Sequence, residues 1–237
     1  MNELAKYILI TAFLMVLTIT RASAEMISLS FIFDKTQSNE MVIPDGKDVY
    51  MAVWKKLDLF KNYNGCVIQV STIGQSSFPS IEEIRLEESN PYFTSRKVRH
   101  EQVVVFRNKL ALAIAKAYEK QNDETVSQIF RGLTHVWGQA PKGCDKYESW
   151  VFSDLIESSE LGTWDKTYKA NPRRLKEEAE ALQERFLKDQ PMTSKVDGLN
   201  LILLNSGTNE LLVASARFYR EWLCSLGSTV KIQSSLN

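Results

Sequence analysis

The sequence has few of the residues that zinc sites and nucleophilic enzymes need. Its 237 residues include three cysteines and two histidines, His100 and His135. No Cys-x-x-Cys pair occurs, and neither histidine has a ligand-like spacing to a cysteine, which argues against a redox motif and a zinc site. Both histidines fall on predicted helices, so the sequence offers no Ser-His-Asp or Cys-His arrangement for catalysis.

The cysteines leave two arrangements open. Cys66, Cys144 and Cys224 are odd in number, so an oxidising compartment would allow one disulfide bridge plus a free thiol. Three buried thiols are equally compatible with the spacing. The sequence does not decide between the two.

An excess of charge of either sign is also missing. Lysine and arginine number 29, aspartate and glutamate number 29, and the formal net charge is zero. Because a nucleic-acid partner normally requires a basic face, this balance argues against one. With 44% hydrophobic residues, the chain has enough apolar side chains for one domain with a real core.

No hydrophobic run is long enough to make a membrane-spanning helix. The longest, residues 7–19, has about 13 residues against the roughly 20 that a span requires. Lys6 precedes it, and Ala22 and Ala24 follow at the small positions of a cleavage site. We predict a signal peptide over 1–24 and a domain over 25–237, exported to the periplasm or secreted, with no stable span after cleavage. An uncleaved anchor and a buried helix are the alternatives.

Phosphate-binding glycine loops are absent from the sequence too. Neither Gly-x-Gly-x-x-Gly nor the P-loop pattern follows any predicted strand, which argues against dinucleotide and nucleoside triphosphate sites. These exclusions leave binding proteins, structural proteins and enzymes that use carboxylates as the classes to consider.

Apolar strand-like runs alternate with segments of helical periodicity along the chain. This alternation predicts an α/β domain with a mostly parallel central sheet, one antiparallel edge strand and helices on both faces. The predicted central strands cover 26–33, 66–74, 148–156, 199–205 and 229–232, with 80–86 as the edge strand. The predicted helices cover 49–60, 96–121, 126–136, 172–188 and 209–226.

Oxygen-bearing side chains follow two of the predicted strands. Asp34, Thr36 and Ser38 occupy alternate positions after the first strand, Asp154 ends the strand that begins at 148, and Thr125 lies in the break before it. Because the carboxyl ends of parallel strands share one sheet edge, we expect these groups to lie close together. Carboxylates and hydroxyls are ligands that Mg²⁺ prefers.

A purely structural interpretation of the same residues stays open. Asp34 could simply end a strand while Ser38 caps a helix. Thr125 could be the N-cap of the next helix, with Gln128 completing a capping box. Thr134 also precedes the later strand and is an alternative to Thr125 as the middle hydroxyl.

These motifs resemble the von Willebrand factor type A (VWA) domain and its metal-ion-dependent adhesion site. The segment Asp34-Lys-Thr36-Gln-Ser38 is similar to the family's first motif, Thr125 to the second and Asp154 to the third. The resemblance extends over nearly all of residues 26–233. It differs from the family where Leu155, in place of the usual glycine, follows Asp154.

The resemblance implies a fold and a chemistry. The fold would be the three-layer Rossmann-like VWA fold. Mg²⁺, or Mn²⁺ or Ca²⁺ in its place, would be held by Asp34, Thr36, Ser38, Thr125 and Asp154. A protein partner would supply a carboxylate to the metal, and no nucleophile or general base would be needed.

We therefore expect an exported, non-catalytic binding module that captures a protein partner. One alternative is a metal-free structural subunit of an envelope or transfer complex that keeps the same fold. A phosphoryl-transfer hydrolase of the haloacid-dehalogenase type fits less well, because it needs a second aspartate where Thr36 stands.

One aromatic side chain is a candidate for direct contact with the partner. Trp164 falls in a polar stretch after Asp154, with Tyr168 nearby. An aromatic residue on a loop beside a metal rim would suit a partner contact, so we predict that Trp164 binds the partner. A loop that folds back on the domain is the alternative.

Overall fold

The computed structural model describes residues 25–34, 36, 46–59, 63–74, 79–90, 92–119, 126–189, 200–204 and 209–233. The predicted signal peptide, Ser38 and Thr125 lie outside the described residues. Within the described ranges, no helix combines the length and the apolar character needed to cross a membrane.

The strands and helices follow the periodicity of the sequence closely. The strands are β1 (Met26–Asp34), β2 (Gly65–Ile73), β3 (Ile81–Leu86), β4 (Lys146–Phe152), β5 (Ser158–Ser159), β6 (Gly162–Thr163), β7 (Asn200–Leu204) and β8 (Thr229–Gln233). The helices are α1 (Gly46–Leu57), α2 (Arg96–Glu119), α3 (Ile129–Gly138), α4 (Trp164–Thr167), α5 (Arg173–Glu177), α6 (Ala179–Asp189) and α7 (Glu210–Ser225).

The main sheet has the predicted mixture of strand directions. Among the described residues it contains six strands in the order β3-β2-β1-β4-β7-β8. Every neighbouring pair is parallel except β2 and β3, so β3 is an antiparallel edge strand. The chain builds outward from β1 in one direction and from β4 in the other, which makes the β1–β4 boundary the topological switch point.

β1 lies in the middle of the sheet and is buried on both faces, which explains its nearly continuous apolar sequence. Alternate side chains point to opposite faces. Leu29, Phe31 and Phe33 join the core formed with α1 and α2. Ile32 joins a second core, formed with α3, α6 and α7. Helices therefore cover both faces of the sheet, as predicted.

The stretch after β4 departs from the predicted pattern. Residues 157–169, expected to be a polar excursion, contain the β5–β6 hairpin and α4, which turn Trp164 into the core. The predicted helix over 172–188 is two helices, α5 and α6, separated at Glu178. The Glu178 carboxylate accepts hydrogen bonds from the Tyr168 hydroxyl at 2.7 Å and from Arg174 at 2.6 Å. These side-chain contacts tie the junction of the two helices to α4.

All three cysteines are free thiols in this structure, but the alternative of three buried thiols is met only at Cys66. Cys66 is buried in the core beneath α1 and α2, Cys144 is half-buried and Cys224 is exposed. Burial raises the pKa of Cys66 to about 12.

Candidate metal centre

β1 and β4 run side by side and end at the same edge of the sheet. Phe33 of β1 lies opposite Phe152 of β4, so the next residues, Asp34 and Ser153, are also neighbours. The Ser153 hydroxyl donates a hydrogen bond of 2.7 Å to Asp34 Oδ2. This contact joins the first and third predicted motifs at the switch point of the sheet, where α/β proteins bind ligands.

Asp34 is completely buried and surrounded by hydroxyl groups. Its Oδ1 accepts hydrogen bonds from the Thr36 backbone N–H at 3.1 Å and from Thr36 Oγ1 at 2.9 Å. Its Oδ2 accepts a long hydrogen bond of 3.4 Å from Ser127 Oγ in addition to the bond from Ser153. Burial raises the pKa of Asp34 above its usual value, and these hydrogen bonds lower it only in part.

Asp154 lies in a tight buried loop that directly follows β4. Its Oδ1 accepts the Ile156 N–H at 2.9 Å, and Ser153 Oγ accepts the Leu155 N–H at 2.9 Å. These two short-range bonds hold the loop in one conformation. Asp154 itself is fully buried.

Leu155 adopts the left-handed backbone conformation, with φ of +60°. This conformation costs an L-residue roughly 1–2 kcal/mol, and glycine adopts it freely. Leu155 thus has a backbone conformation that glycine adopts more easily. Its buried side chain packs in the core with α3 and α7. The departure from the Asp-Gly pattern changes the side chain and retains a turn of glycine type.

Glu157 is a third buried carboxyl group at this edge, and the sequence analysis missed it. Its Oε2 accepts the Phe130 N–H at 2.9 Å, and its Oε1 accepts the Ser159 hydroxyl. Burial is the main reason that its pKa rises to about 7, and the charge of Asp34 adds to the rise. In the sequence Glu157 is one of several polar residues after a strand, so no pattern distinguished it.

The hydroxyl group of Tyr219, on α7, lies near all three carboxyl groups. Burial raises the pKa of Tyr219 well above its usual value, and the charges of Glu157, Asp34 and Asp154 raise it further.

The described side chains fit a hard divalent cation by their donor chemistry. Asp34 and Asp154 offer carboxylate oxygens, and Thr36 offers a hydroxyl beside Asp34. An oxygen-only set of this kind suits Mg²⁺, Mn²⁺ or Ca²⁺. In the part of the chain that the structure describes, no three His, Cys, Asp or Glu side chains form a metal-holding group. Hydroxyls, and not a third acid, would have to complete the donor set.

The structure provides contacts for Thr134, the alternative to Thr125, and for the start of α3, where Thr125 could have been the N-cap. Thr134 donates its hydroxyl to the Phe130 and Arg131 carbonyl oxygens of α3, at 2.9 and 3.0 Å. The N-cap of α3 is Gln128, without a side-chain capping bond, so Thr125 is not the N-cap of this helix. Thr125 itself lies outside the described residues, as does Ser38.

The prediction that Trp164 contacts a partner is wrong. Its side chain is completely buried, 6.1 Å from the stacked ring of Phe186 and 5.1 Å from the ring of Phe218 in an edge-on contact. A large aromatic surface gains more from burial in this cluster than from solvent exposure. Trp164 is a core residue of a loop that folds back on the domain.

Comparison with known proteins gives similarity at the level of structure alone. No protein-family model and no curated protein matches the sequence. The PilB minor pilin from Streptococcus sanguinis superposes with a TM-score of 0.51 at 14% sequence identity, over 91% of this chain. An aspartate-to-alanine mutant of that pilin gives a TM-score of 0.50 at 14% identity and 91% coverage.

This similarity concerns the fold. The chain spans 58% of the length of both pilin structures. At this identity the shared property is a mixed α/β architecture with a mostly parallel sheet.

Proposed function

We propose that this chain is an exported, non-catalytic binding module with the three-layer Rossmann-like VWA fold. It captures a protein partner through a divalent metal held by Asp34, Thr36, Ser38, Thr125 and Asp154. The observation that carries the proposal is the contact between Ser153 and Asp34 at the switch point, which places two buried acidic residues at the ends of adjacent central strands.

Each side chain has a distinct task in this proposal. Asp34 and Asp154 supply negative charge at the buried edge of the sheet. Thr36 supplies a hydroxyl that already donates a hydrogen bond to Asp34. Ser153 and Ser127 hold the Asp34 carboxylate in place through its second oxygen. The bound cation would supply an open coordination position for a partner's carboxylate.

The proposal includes export of the protein and its assembly with other proteins. The N-terminal pattern of a charged residue, an apolar run and small residues at 22 and 24 supports export. A minor pilin is among the proteins of similar structure, which supports a role in an assembly with other proteins.

A metal-free structural subunit is the second candidate, and one observation favours it. Thr36, Ser127 and Ser153 together direct four hydrogen bonds at Asp34, while burial raises the pKa of its carboxyl group. A carboxyl group satisfied in this way can be buried without a metal. A hydrolase is less well supported, because Thr36 holds the place of the second catalytic acid.

A metal titration separates the two candidates. We expect the melting temperature of the mature protein to rise through a millimolar titration of Mg²⁺ or Mn²⁺, since a ligand of the native state stabilises it by mass action. Asp154→Asn should remove most of this rise and leave the fold intact. Glu160→Gln, at an 87% exposed side chain, is the matched control and should respond like the wild type.

One result would contradict the metal proposal. A melting temperature that stays flat in Mg²⁺, Mn²⁺ and Ca²⁺ alike would favour the metal-free subunit.

A further inference from the structure

Glu157 is a buried carboxyl group outside the expected metal set. Glu157 follows Asp154 by three residues and is completely buried. Its carboxylate accepts the Phe130 N–H of α3 at 2.9 Å. Ser159 donates to its other oxygen.

Glu157 supplies what the start of α3 lacks. The N-cap residue, Gln128, makes no side-chain capping bond, and the first turn of α3 contains no acidic residue. The first N–H groups of a helix need acceptors, and negative charge near them is favourable. The carboxylate that accepts the Phe130 N–H therefore caps α3 from a different loop.

The segment just before α3 reaches Asp34. Ser127 exchanges two backbone hydrogen bonds of 2.9 Å with Ser158, the residue next to Glu157, and its hydroxyl donates to Asp34 Oδ2. The Gln128 N–H also donates to the Gly74 carbonyl oxygen at 3.3 Å. Thus residues 127–130 are held on one side by 157–158 and touch the candidate site on the other.

We propose that Glu157 is a positioning residue that holds the Ser127 segment (residues 127–130) against Asp34. Its effect on metal affinity rests on the proposed function, whereas its effect on the order of 127–130 does not. The essential property is a hydrogen-bond acceptor at this place. A glutamine, which keeps one acceptor oxygen and nearly the same shape, should therefore replace it.

The first test measures amide hydrogen exchange without metal. In Glu157→Ala the Phe130 and Ser127 amides should exchange at least about tenfold faster than in the wild type. The Phe130 N–H loses its acceptor, and the Ser127 N–H keeps the Ser158 carbonyl oxygen as its acceptor but in a less ordered segment. In Glu157→Gln these amides should exchange no faster than in the wild type, and in the exposed control Glu160→Gln they should exchange at the wild-type rate. Unchanged exchange at Phe130 and Ser127 in Glu157→Ala would overturn the proposal.

A second variant guards against misfolding of the alanine mutant. Ser159→Ala removes one of the two hydrogen bonds that orient the Glu157 carboxylate. We expect about threefold faster exchange at the Phe130 amide in this variant, a smaller effect because the acceptor itself remains. Exchange at the wild-type rate would count against the proposal.

The third measurement is Mn²⁺ affinity by calorimetry on the same proteins. Loss of a residue that orients ligands typically weakens metal binding by about 10–100-fold, and we expect this in Glu157→Ala. Glu157→Gln should bind within about threefold of the wild type. If glutamine weakens binding as much as alanine, Glu157 acts through its charge and the positioning role is wrong. If the wild type binds no Mn²⁺, the proposed function fails, and hydrogen exchange still decides the role of Glu157.

Discussion

The fold moves the pKa of Glu157 into the physiological range. Complete burial raises it from 4.5 to about 7, against the opposing effect of hydrogen bonds from Ser159 and Phe130. A carboxyl group whose folded-state pKa exceeds its unfolded-state pKa keeps its proton in the native protein after the unfolded chain has released it. Its contribution to stability therefore decreases as the pH rises.

We predict that this decrease falls between about pH 4.5 and pH 7. Below this window both states are protonated, and above it both are ionised, so the contribution of Glu157 is constant there. As the pH rises across this window, the unfolding free energy of Glu157→Gln should increase relative to that of the wild type by up to about 3 kcal/mol. Urea unfolding of both proteins at several pH values measures it, and parallel pH profiles would contradict the prediction.

Leu155 gives a second prediction at the level of one residue. At an ordinary buried position a glycine variant is less stable than the alanine variant. At a φ of +60°, however, alanine retains the backbone strain of the left-handed conformation, whereas glycine relieves it. Both substitutions should destabilise by about 2–4 kcal/mol, because both remove a buried leucine side chain. Leu155→Gly should nevertheless be more stable than Leu155→Ala by roughly 0.5–1 kcal/mol.

The matched control for Leu155 is Leu133, a buried residue within α3 that is 1% exposed. There Leu133→Gly should be less stable than Leu133→Ala by about 1 kcal/mol. Urea midpoints of the four variants are the measurement. The same order of glycine and alanine at both positions would show that the turn at Leu155 imposes no strain.

Helices and strands with a strong hydrophobic periodicity were predictable from the sequence. Segments whose conformation depends on contacts with distant parts of the chain were not. The apolar run of β1 and the helical spacing of α2 located both elements within a few residues. Asp34 was found because it directly follows a buried strand. Glu157 and Ser127 were not, because their roles come from contacts across the fold and their sequence context resembles that of any polar loop.

The packing of α3 on the sheet depends on a glycine. A β-carbon on Gly132 would lie 3.0 Å from Ile73 Cγ1, on a stiff, fully buried side chain of β2. We predict that Gly132→Ala destabilises the protein by about 1–3 kcal/mol, since overpacking outweighs the gain in helix propensity. A β-carbon on Gly138, in the same helix, would meet no atom within 4 Å.

Gly138→Ala is therefore the control for Gly132→Ala. It should leave stability unchanged or raise it by up to about 0.5–1 kcal/mol through helix propensity alone. Thermal unfolding of the two variants beside the wild type measures the difference. Equal stability of the two variants would mean that α3 does not pack against Ile73 as described.

At the scale of the molecule, the order of the strands decides where a site can form. β1 and β4 are adjacent and parallel although more than a hundred residues separate them in the sequence, and their ends bring Asp34 to Ser153. Strand and helix alternation predicted this sheet, so the meeting of the ends of β1 and β4 at one sheet edge was predictable. The loops that complete it depend on side-chain contacts that no periodicity encodes, as with the turn at Leu155 and the cap at Phe130.

The position of Cys66 allows a test of the whole molecule. It is buried on the face of the sheet covered by α1 and α2, whereas Phe130 of α3 and Tyr219 of α7 lie in the core of the opposite face. A buried thiol with a pKa of about 12 reacts with a disulfide reagent only after the protein opens. The labelling rate of Cys66 should therefore report global unfolding under native conditions.

If the proposed metal site is real, Mg²⁺ should slow the labelling of Cys66 from a distance. At a concentration ten times its dissociation constant, a ligand of the native state lowers the unfolded population roughly tenfold, and the labelling rate falls by the same factor. Cys224 is exposed and should react at a rate that Mg²⁺ leaves unchanged, which controls for effects on the reagent. Asp154→Asn should label Cys66 at the same rate with and without Mg²⁺. Equal slowing in this variant would mean that the cation binds elsewhere on the protein.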